Sequence, residues 1–209
     1  MFELDHIFVL CEPGAPEADE LVAVGLIEGR GGSHRGQGTS NRVFFFQDVY
    51  LEFLWVHDEV EARSSRTAPT QLWERWSQRQ RGASSFGLCF RPSQPQFSEQ
   101  KPFAGFDYRP AYFPDTYSIW LAKQPITQAM MFYLSFARPP IHSMPDAPLN
   151  RLATELIQLQ LASPVFIETA HWPVKMQLEN HSSEQMTLRL NGYAQRSVAL
   201  SSLPLTIYY

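Results

Sequence analysis

The stretch RVFFFQDVYLEFLWV, residues 42–56, determines which fold class the sequence indicates. Two apolar runs rich in aromatic and β-branched residues, 42–46 and 50–56, flank the short segment Gln47-Asp48-Val49. Such runs are typical of strands, and a short connection between two of them indicates a β-hairpin. Glu52 is the single charged residue of the second run, so the pattern places a carboxylate in an otherwise apolar strand.

The residues before this hairpin extend it into a larger unit. Residues 4–10 are apolar with isolated polar positions, which predicts a strand. Pro16 and the acidic residues after it are typical of a helix start, and an approximate apolar face continues to Leu26. Residues 29–41 are a polar, glycine-rich loop. The first 57 residues therefore predict the order strand, helix, loop, strand, strand.

The rest of the chain indicates an α+β fold with mostly antiparallel sheet. Residues 69–81 predict an amphipathic helix that connects two halves, and residues 92–116 are irregular with weak helical signal. The order of elements in residues 84–138 resembles that in residues 2–57, which is a weak sign of internal duplication. Further strands are predicted at residues 84–91, 117–122, 130–137, 156–161, 186–190 and 198–200.

Composition excludes several classes of protein. The chain has 209 residues and a net charge of −4, so no global field favours nucleic acid or an anionic membrane. A hydrophobic content of 44% is sufficient for a folded core and excludes general disorder. Cys11 and Cys89 lie in apolar runs without a Cys-x-x-Cys pair, which favours buried free thiols in a soluble, cytoplasmic protein.

His6 and Glu52 are the first candidates for a functional site. Each is an isolated polar residue inside an apolar strand, and a carboxylate on a buried sheet face is costly unless it is paired or bound to metal. An imidazole and a carboxylate that meet inside a sheet would form half of a divalent metal site. The alternatives are a simple hydrogen bond between the two residues, or a Glu52 that faces solvent.

Two irregular segments offer further candidates. The glycine-rich loop could be a lid or an anion-binding loop beside a pocket, or merely a mobile connection, and it lacks the pattern of a P-loop. The segment YRPAYFP, residues 108–114, could line a pocket. Arg109 within it could neutralise a substrate carboxylate or brace the loop through an ion pair. The sequence shows no Gly-x-Ser-x-Gly nucleophile motif.

Taken together, the motifs LDHI (4–7), GQGTSNRVFFF (36–46) and YLEFLWV (50–56) resemble the glyoxalase-like branch of the vicinal oxygen chelate superfamily. The segments WERW (73–76), YRPAYFP (108–114) and LPL (203–205) resemble uncharacterised bacterial members. This resemblance implies tandem βαβββ modules that form curved mixed and antiparallel sheets around a shared cleft, followed by a C-terminal β-rich extension. We therefore expect a first module at 1–58, a connecting segment at 59–83, a second module at 84–140 and the extension at 141–209.

The resemblance also implies a divalent metal ion in the cleft, bound by first- and last-strand residues of both modules. His6 and Glu52 match these positions in the first module, where Glu52 would also be catalytic. In the second module the matching positions fall at Gly87 and Tyr133, which are not ordinary ligands, and His142 is a possible substitute. We expect substrate contacts from the glycine loop and the second module: His34, Asn41, Arg42, Arg109 and Tyr112.

Two functions from different classes remain open. The first is a metal-dependent lyase, isomerase or dioxygenase that acts on a small, oxygen-rich metabolite. The second is a metal-free protein that binds or sequesters a small molecule in the same cleft, which is favoured by Gly87, Tyr133 and the aromatic lining. The resemblance implies a homodimer, unless the C-terminal extension covers the surface through which two copies would meet.

Overall fold

The computed structural model describes residues 2–164, 173–192 and 196–209, and it contains thirteen strands and four short helices in these ranges. The helices are α1 (Ala18–Ala23), α2 (Glu59–Ala62), α3 (Leu72–Gln78) and α4 (Pro140–Ser143). The strands are β1 (Phe2–Leu10), β2 (Ser33–His34), β3 (Thr39–Phe45), β4 (Tyr50–Val56), β5 (Phe86–Pro92), β6 (Gly105–Tyr108), β7 (Ile119–Ala122), β8 (Met130–Tyr133), β9 (Ala153–Ser163), β10 (Met176–Asn180), β11 (Gln185–Gly192), β12 (Ser197–Ala199) and β13 (Leu205–Tyr208).

The first eight strands form one mixed sheet in the order β2-β3-β4-β1-β5-β8-β7-β6. The two modules meet at its centre, where β1 pairs antiparallel with β5. Each module repeats the same arrangement, since β1 pairs parallel with β4 and β5 pairs parallel with β8. This repetition confirms the α+β fold of tandem modules.

The last five strands form a second sheet in the order β10-β9-β11-β13-β12. Its buried side chains, among them Leu159, Leu188 and Ile207, belong to the same apolar cluster as Ile7 and Phe53 of the first sheet. The extension therefore covers one face of the eight-stranded sheet, and the opposite face has an apolar cluster of its own. None of the helices in the described part of the chain combines the length and apolar character that a membrane crossing requires.

Several elements differ from the sequence-based predictions for local reasons. Helix α1 ends earlier than expected because Gly25, with φ +92°, occupies the left-handed conformation that closes a helix. The predicted helix at 69–81 is divided into the 3-10 turn Ala68–Thr70 and α3, which are separated by Gln71 with φ +57°. Strands β6, β10 and β13 are not predicted, because each is only four or five residues long and lacks a long apolar alternation.

Candidate functional site

A cavity of about 150 Å³ lies on the face of the first sheet that the C-terminal extension leaves uncovered. This volume is roughly that of five water molecules, so the space suits a small ligand. We call it the cleft. Its polar lining residues are His6, His34, Gln37, Asn41, Tyr50, Glu52, Thr70, Tyr108 and Tyr112, and its apolar ones are Phe8, Leu54, Leu72, Phe113, Ile119, Met130, Phe132 and Leu134.

His6 and Glu52 meet in this cleft from the neighbouring strands β1 and β4. The strand register pairs His6 with Tyr50 and Phe8 with Glu52, so all four side chains share one face of the sheet. His6 Nε2 lies 3.8 Å from Glu52 Oε2, and the two residues are only 4% and 6% exposed. Two buried polar atoms thus converge without a direct hydrogen bond between them.

The outer atom of each of these side chains is held by a neighbour. His6 Nδ1 lies 2.8 Å from Asp5 Oδ2, and Asn41 Nδ2 donates to Glu52 Oε1 at 2.6 Å. Adjacent strand residues normally point to opposite faces, but β1 has a register shift between Leu4 and His6. Such irregularities redirect side chains, which allows Asp5 and His6 to contact each other. A carboxylate on the remote nitrogen of a histidine fixes its ring orientation and makes its other nitrogen a better base or ligand.

A second group of donor atoms lies on the Asp5 side of the imidazole. Single donor atoms of Asp5, His6 and Cys89 lie within 4.8 Å of one another, and all three residues are buried. However, Asp5 also forms an ion pair with Arg91 at 3.3 Å, and burial raises the pKa of the Cys89 thiol well above its ordinary value. This group is therefore better suited to orienting His6 than to binding an ion, because only the thiolate is a good ligand.

The second module presents a different surface to the cleft. Strands β7 and β8 contribute Ile119, Met130 and Phe132, and Leu134 follows β8; all four are apolar, whereas β6 contributes the Tyr108 hydroxyl. An added Cβ at Gly87 would lie 2.0 Å from Phe8 Cε1, so the Phe8 ring fills the space that a ligand at this position would need. A second-module ligand at Gly87 is thus excluded by packing.

The assignment of Tyr133 to a last-strand ligand position is wrong by one residue. Tyr133 packs in the apolar cluster shared with the C-terminal extension, and its hydroxyl donates to the Ser98 carbonyl at 3.0 Å. Burial raises the pKa of this hydroxyl to about 12. Phe132, paired with Cys89, is the residue that faces the cleft. Because alternate strand residues face opposite sides, a shift of one position exchanges the faces.

The glycine loop contributes His34 and Asn41 to the lining of the cleft, and Tyr112 reaches it from the second module. Four further polar residues also line it and are not among the candidate site residues predicted from the sequence, although Tyr108 lies in the segment 108–114 that was expected to line a pocket: Gln37, Tyr50, Thr70 and Tyr108. Tyr108 donates to Gln37 Oε1 at 3.1 Å across 71 residues of sequence. Nothing in the local pattern of either residue indicates this long-range contact.

Arg42 and Arg109 lie outside the cleft. Arg42 follows Asn41 in β3 and points the other way, where it donates to both carboxylate oxygens of Glu28 and forms an ion pair with Asp19 at 2.9 Å. These carboxylates and the Ala15 carbonyl occupy its planar fork, so Arg42 braces the α1 region. Arg109 is exposed and lines a separate cavity beside Tyr108, and His142 is exposed on α4.

The titration of His34 yields a prediction about stability. Burial lowers its pKa from the ordinary value of 6.5. In the interval between the folded and unfolded pKa values, the unfolded state binds more protons, so this contribution to stability is full above the unfolded value and is lost on acidification. When the pH is lowered from about 7.5 to about 5.5, the urea midpoint should decrease in wild type, and we expect a smaller decrease in His34→Gln. Equal decreases would contradict this assignment.

The cleft residues can be tested for their fit to a divalent ion. A separation of 3.8 Å between His6 Nε2 and Glu52 Oε2 is short enough for one ion to lie about 2.0–2.2 Å from each atom. One imidazole and one carboxylate suit several transition metals, but catalytic zinc sites generally have three protein ligands. The two residues therefore fit as half of a coordination sphere, with the remainder left to water or to a bound molecule.

Comparisons with known proteins agree with this fold. The glyoxalase-like domain family matches residues 4–189. A solved structure described as a hypothetical protein from Staphylococcus aureus superposes with a TM-score of 0.58 and 10% sequence identity, covering 99% of both chains, which shows the shared fold. A comparison with curated proteins found no significant match. With the family match extending over most of its length and the tandem modules present in its structure, the chain belongs to the glyoxalase-like domain family.

Proposed function

We propose that this protein is a glyoxalase-like enzyme in which His6 and Glu52 hold a divalent metal ion, while a small molecule with adjacent oxygen atoms completes the coordination sphere. The convergence of His6 Nε2 and Glu52 Oε2 in a buried cleft, each fixed from behind by Asp5 or Asn41, is the observation that supports it. Side chains held in this way resemble ligands oriented by their neighbours.

When bound, the metal would act as a Lewis acid on an oxygen of the substrate. Glu52 is the carboxylate that reaches the cleft, so it is placed to accept a proton from a carbon next to that oxygen. Asn41 holds the other carboxylate oxygen and limits its rotation. Phe8, Phe132 and Met130 line the cavity with apolar surface, which strengthens electrostatic interactions by keeping water away.

A second candidate function is metal-free binding of a small molecule. It is favoured by the apolar strand residues of the second module and by the Phe8 ring at the Gly87 position, because among the described lining residues every histidine and carboxylate of the cleft then comes from the first module. A largely apolar pocket with a few convergent polar groups is typical of ligand-binding sites in general.

Metal titration separates the two functions. Chelator-treated protein is titrated by calorimetry with Zn²⁺ and, in a separate experiment, with Mn²⁺, and it should bind one ion per chain. His6→Phe, which keeps a ring against Tyr50, should lose that site. His142→Phe, an exchange at an exposed histidine, is the matched control. Absence of saturable binding in folded wild-type protein would support the metal-free function instead. The homodimer and the module boundaries at residues 58, 83 and 140 stay predictions.

A further inference from the structure

A chain of hydrogen bonds connects the second module to the glycine loop at the rim of the cleft. Tyr108 and Tyr112 donate to Gln37 Oε1 at 3.1 and 3.4 Å. Gln37 Nε2 donates to Thr39 Oγ1 at 2.9 Å, and Thr39 Oγ1 lies 2.9 Å from His34 Nδ1. These five side chains belong to β2, β3, β6 and the connecting loops, so the network joins the two modules.

The network has a direction that starts at the tyrosines. Burial raises the pKa of both phenols, so each keeps its proton and needs an acceptor. An amide oxygen can accept two hydrogen bonds, so Oε1 of Gln37 accepts from both tyrosine hydroxyls. The NH₂ group of the same amide then points toward Thr39. Since Thr39 Oγ1 accepts from Gln37, its own proton is available for His34 Nδ1. A Thr39 hydroxyl that donates to His34 Nδ1 makes that nitrogen the acceptor and leaves the imidazole proton on Nε2.

The ring of His34 is also fixed in place. It stacks on Tyr112 with centroids 4.8 Å apart and an interplanar angle of 29°. Glu61 of α2 holds the loop beside it, because its Oε2 accepts from the backbone N–H groups of Gly36 and Gly38 at 2.7 and 3.1 Å. His34 lines the cleft, and its Nε2 has no hydrogen-bond partner among the residues that the structure describes.

We infer that His34 is a preorganised neutral imidazole that donates a hydrogen bond from Nε2 to an oxygen acceptor of the molecule bound in the cleft. The inference rests on the proposed function in that a small oxygen-bearing ligand occupies this space. It selects ligands that present a carbonyl, carboxylate or enolate oxygen toward the glycine loop, rather than a donor group. It also removes His34 as a third metal ligand, because a protonated Nε2 has no lone pair to offer.

This arrangement has a consequence for proton transfer. When Glu52 takes a proton from a carbon beside a carbonyl, negative charge develops on the carbonyl oxygen. A fixed N–H donor stabilises that charge without having to reorganise. His34 would supply this donor from β2, while Glu52 acts from β4 in the same cavity.

Nuclear magnetic resonance of the full chain tests the tautomer without any ligand. A long-range ¹H–¹⁵N spectrum of uniformly labelled protein at neutral pH, with the His34 signals assigned by their loss in His34→Phe, should show one proton on Nε2 and an unprotonated Nδ1. Thr39→Val, which removes the hydroxyl and keeps the side-chain shape, should produce a mixture of tautomers. A proton on Nδ1, an imidazolium, or a Thr39→Val spectrum identical to wild type would overturn the inference.

Ligand binding tests the donor role separately. The probe is acetohydroxamate, a small molecule with adjacent oxygen atoms, titrated into Zn²⁺-loaded protein. His34→Phe should weaken its binding about 3- to 10-fold, as expected for loss of one neutral hydrogen bond. His34→Gln, which keeps an N–H donor, should recover most of this loss, and His142→Phe should have no effect. Equal affinities of His34→Phe and wild type would overturn the donor role. Failure of wild-type protein to bind Zn²⁺ would instead contradict the proposed function, while the tautomer measurement still decides the state of His34.

Discussion

Glu52→Gln should weaken Zn²⁺ binding by about 100-fold or more while leaving the protein folded. Loss of a residue that merely orients a ligand typically costs 10- to 100-fold in metal affinity, so loss of a ligand carboxylate should cost at least as much. The substituted amide keeps the size of the carboxylate, and its oxygen can still accept the hydrogen bond from Asn41 Nδ2. The change therefore removes the charge with little change in shape. Calorimetric titration of the chelator-treated variant measures the effect.

The stability of metal-free Glu52→Gln provides a second readout. Glu52 is 6% exposed, and a buried charge without a full complement of partners costs free energy. We expect the metal-free variant to be as stable as wild type or more stable in urea. Glu179→Gln, at an exposed position of β10, is the matched control for the loss of one negative charge. Unchanged Zn²⁺ affinity in Glu52→Gln would make Glu52 a structural residue and remove the proposed metal site.

Much of the first module could be predicted from its sequence. Strands β1 and β4 are marked by long apolar runs, whereas in β3 only residues 43–45 are apolar and Thr39–Asn41 lie in the segment predicted to be loop. Glu52 is the single charged residue of the β4 run, and His6 is one of the few polar residues in the β1 run, which makes both of them candidates. The structure then brings the two side chains to within 3.8 Å of each other.

The limits of sequence analysis are visible in adjacent residues. Asn41 and Arg42 are adjacent polar residues of β3, but the strand directs one toward Glu52 and the other toward Glu28. Only the strand register decides between them, and the sequence of a single strand with two polar neighbours does not reveal that register. For the same reason, the sequence of β8 does not reveal that Phe132, and not Tyr133, faces the cleft.

Contacts between segments that are distant along the chain could not be predicted from the sequence either. Gln37 accepts hydrogen bonds from Tyr108, at the end of β6, and from Tyr112, in the loop after it; these residues are 71 and 75 positions away along the chain. Neither segment has a periodic pattern that could be paired with the other. The hydrogen-bond network that orients His34 therefore becomes visible only when the two modules are assembled into one sheet.

Gly87→Ala should destabilise the protein by about 3 kcal/mol or more, at the upper end of what overpacking a core usually costs. The new methyl group would lie 2.0–2.4 Å from three carbon atoms of the Phe8 ring, and both residues are buried where the two modules pair. The ring is the obstacle, so it must turn away or the central strands must separate. Urea denaturation at neutral pH measures the change. Gly32→Ala is the matched control, since an added Cβ there meets nothing within 4 Å, and we expect it to alter stability by less than about 0.5 kcal/mol.

A double-mutant cycle shows whether Phe8 is the cause of that loss. Phe8→Leu alone should destabilise the protein, because it removes part of a buried ring, but it also vacates the space beside Gly87. The double variant Phe8→Leu/Gly87→Ala should therefore be more stable than the sum of the two single losses requires, by about 1 kcal/mol or more. Strict additivity would show that Gly87 is required for its backbone and not for the space that Phe8 occupies. Favourable coupling would show that the Phe8 ring fills the space that any side chain at position 87 would need, and a metal ligand there would need more of it than the methyl group of alanine.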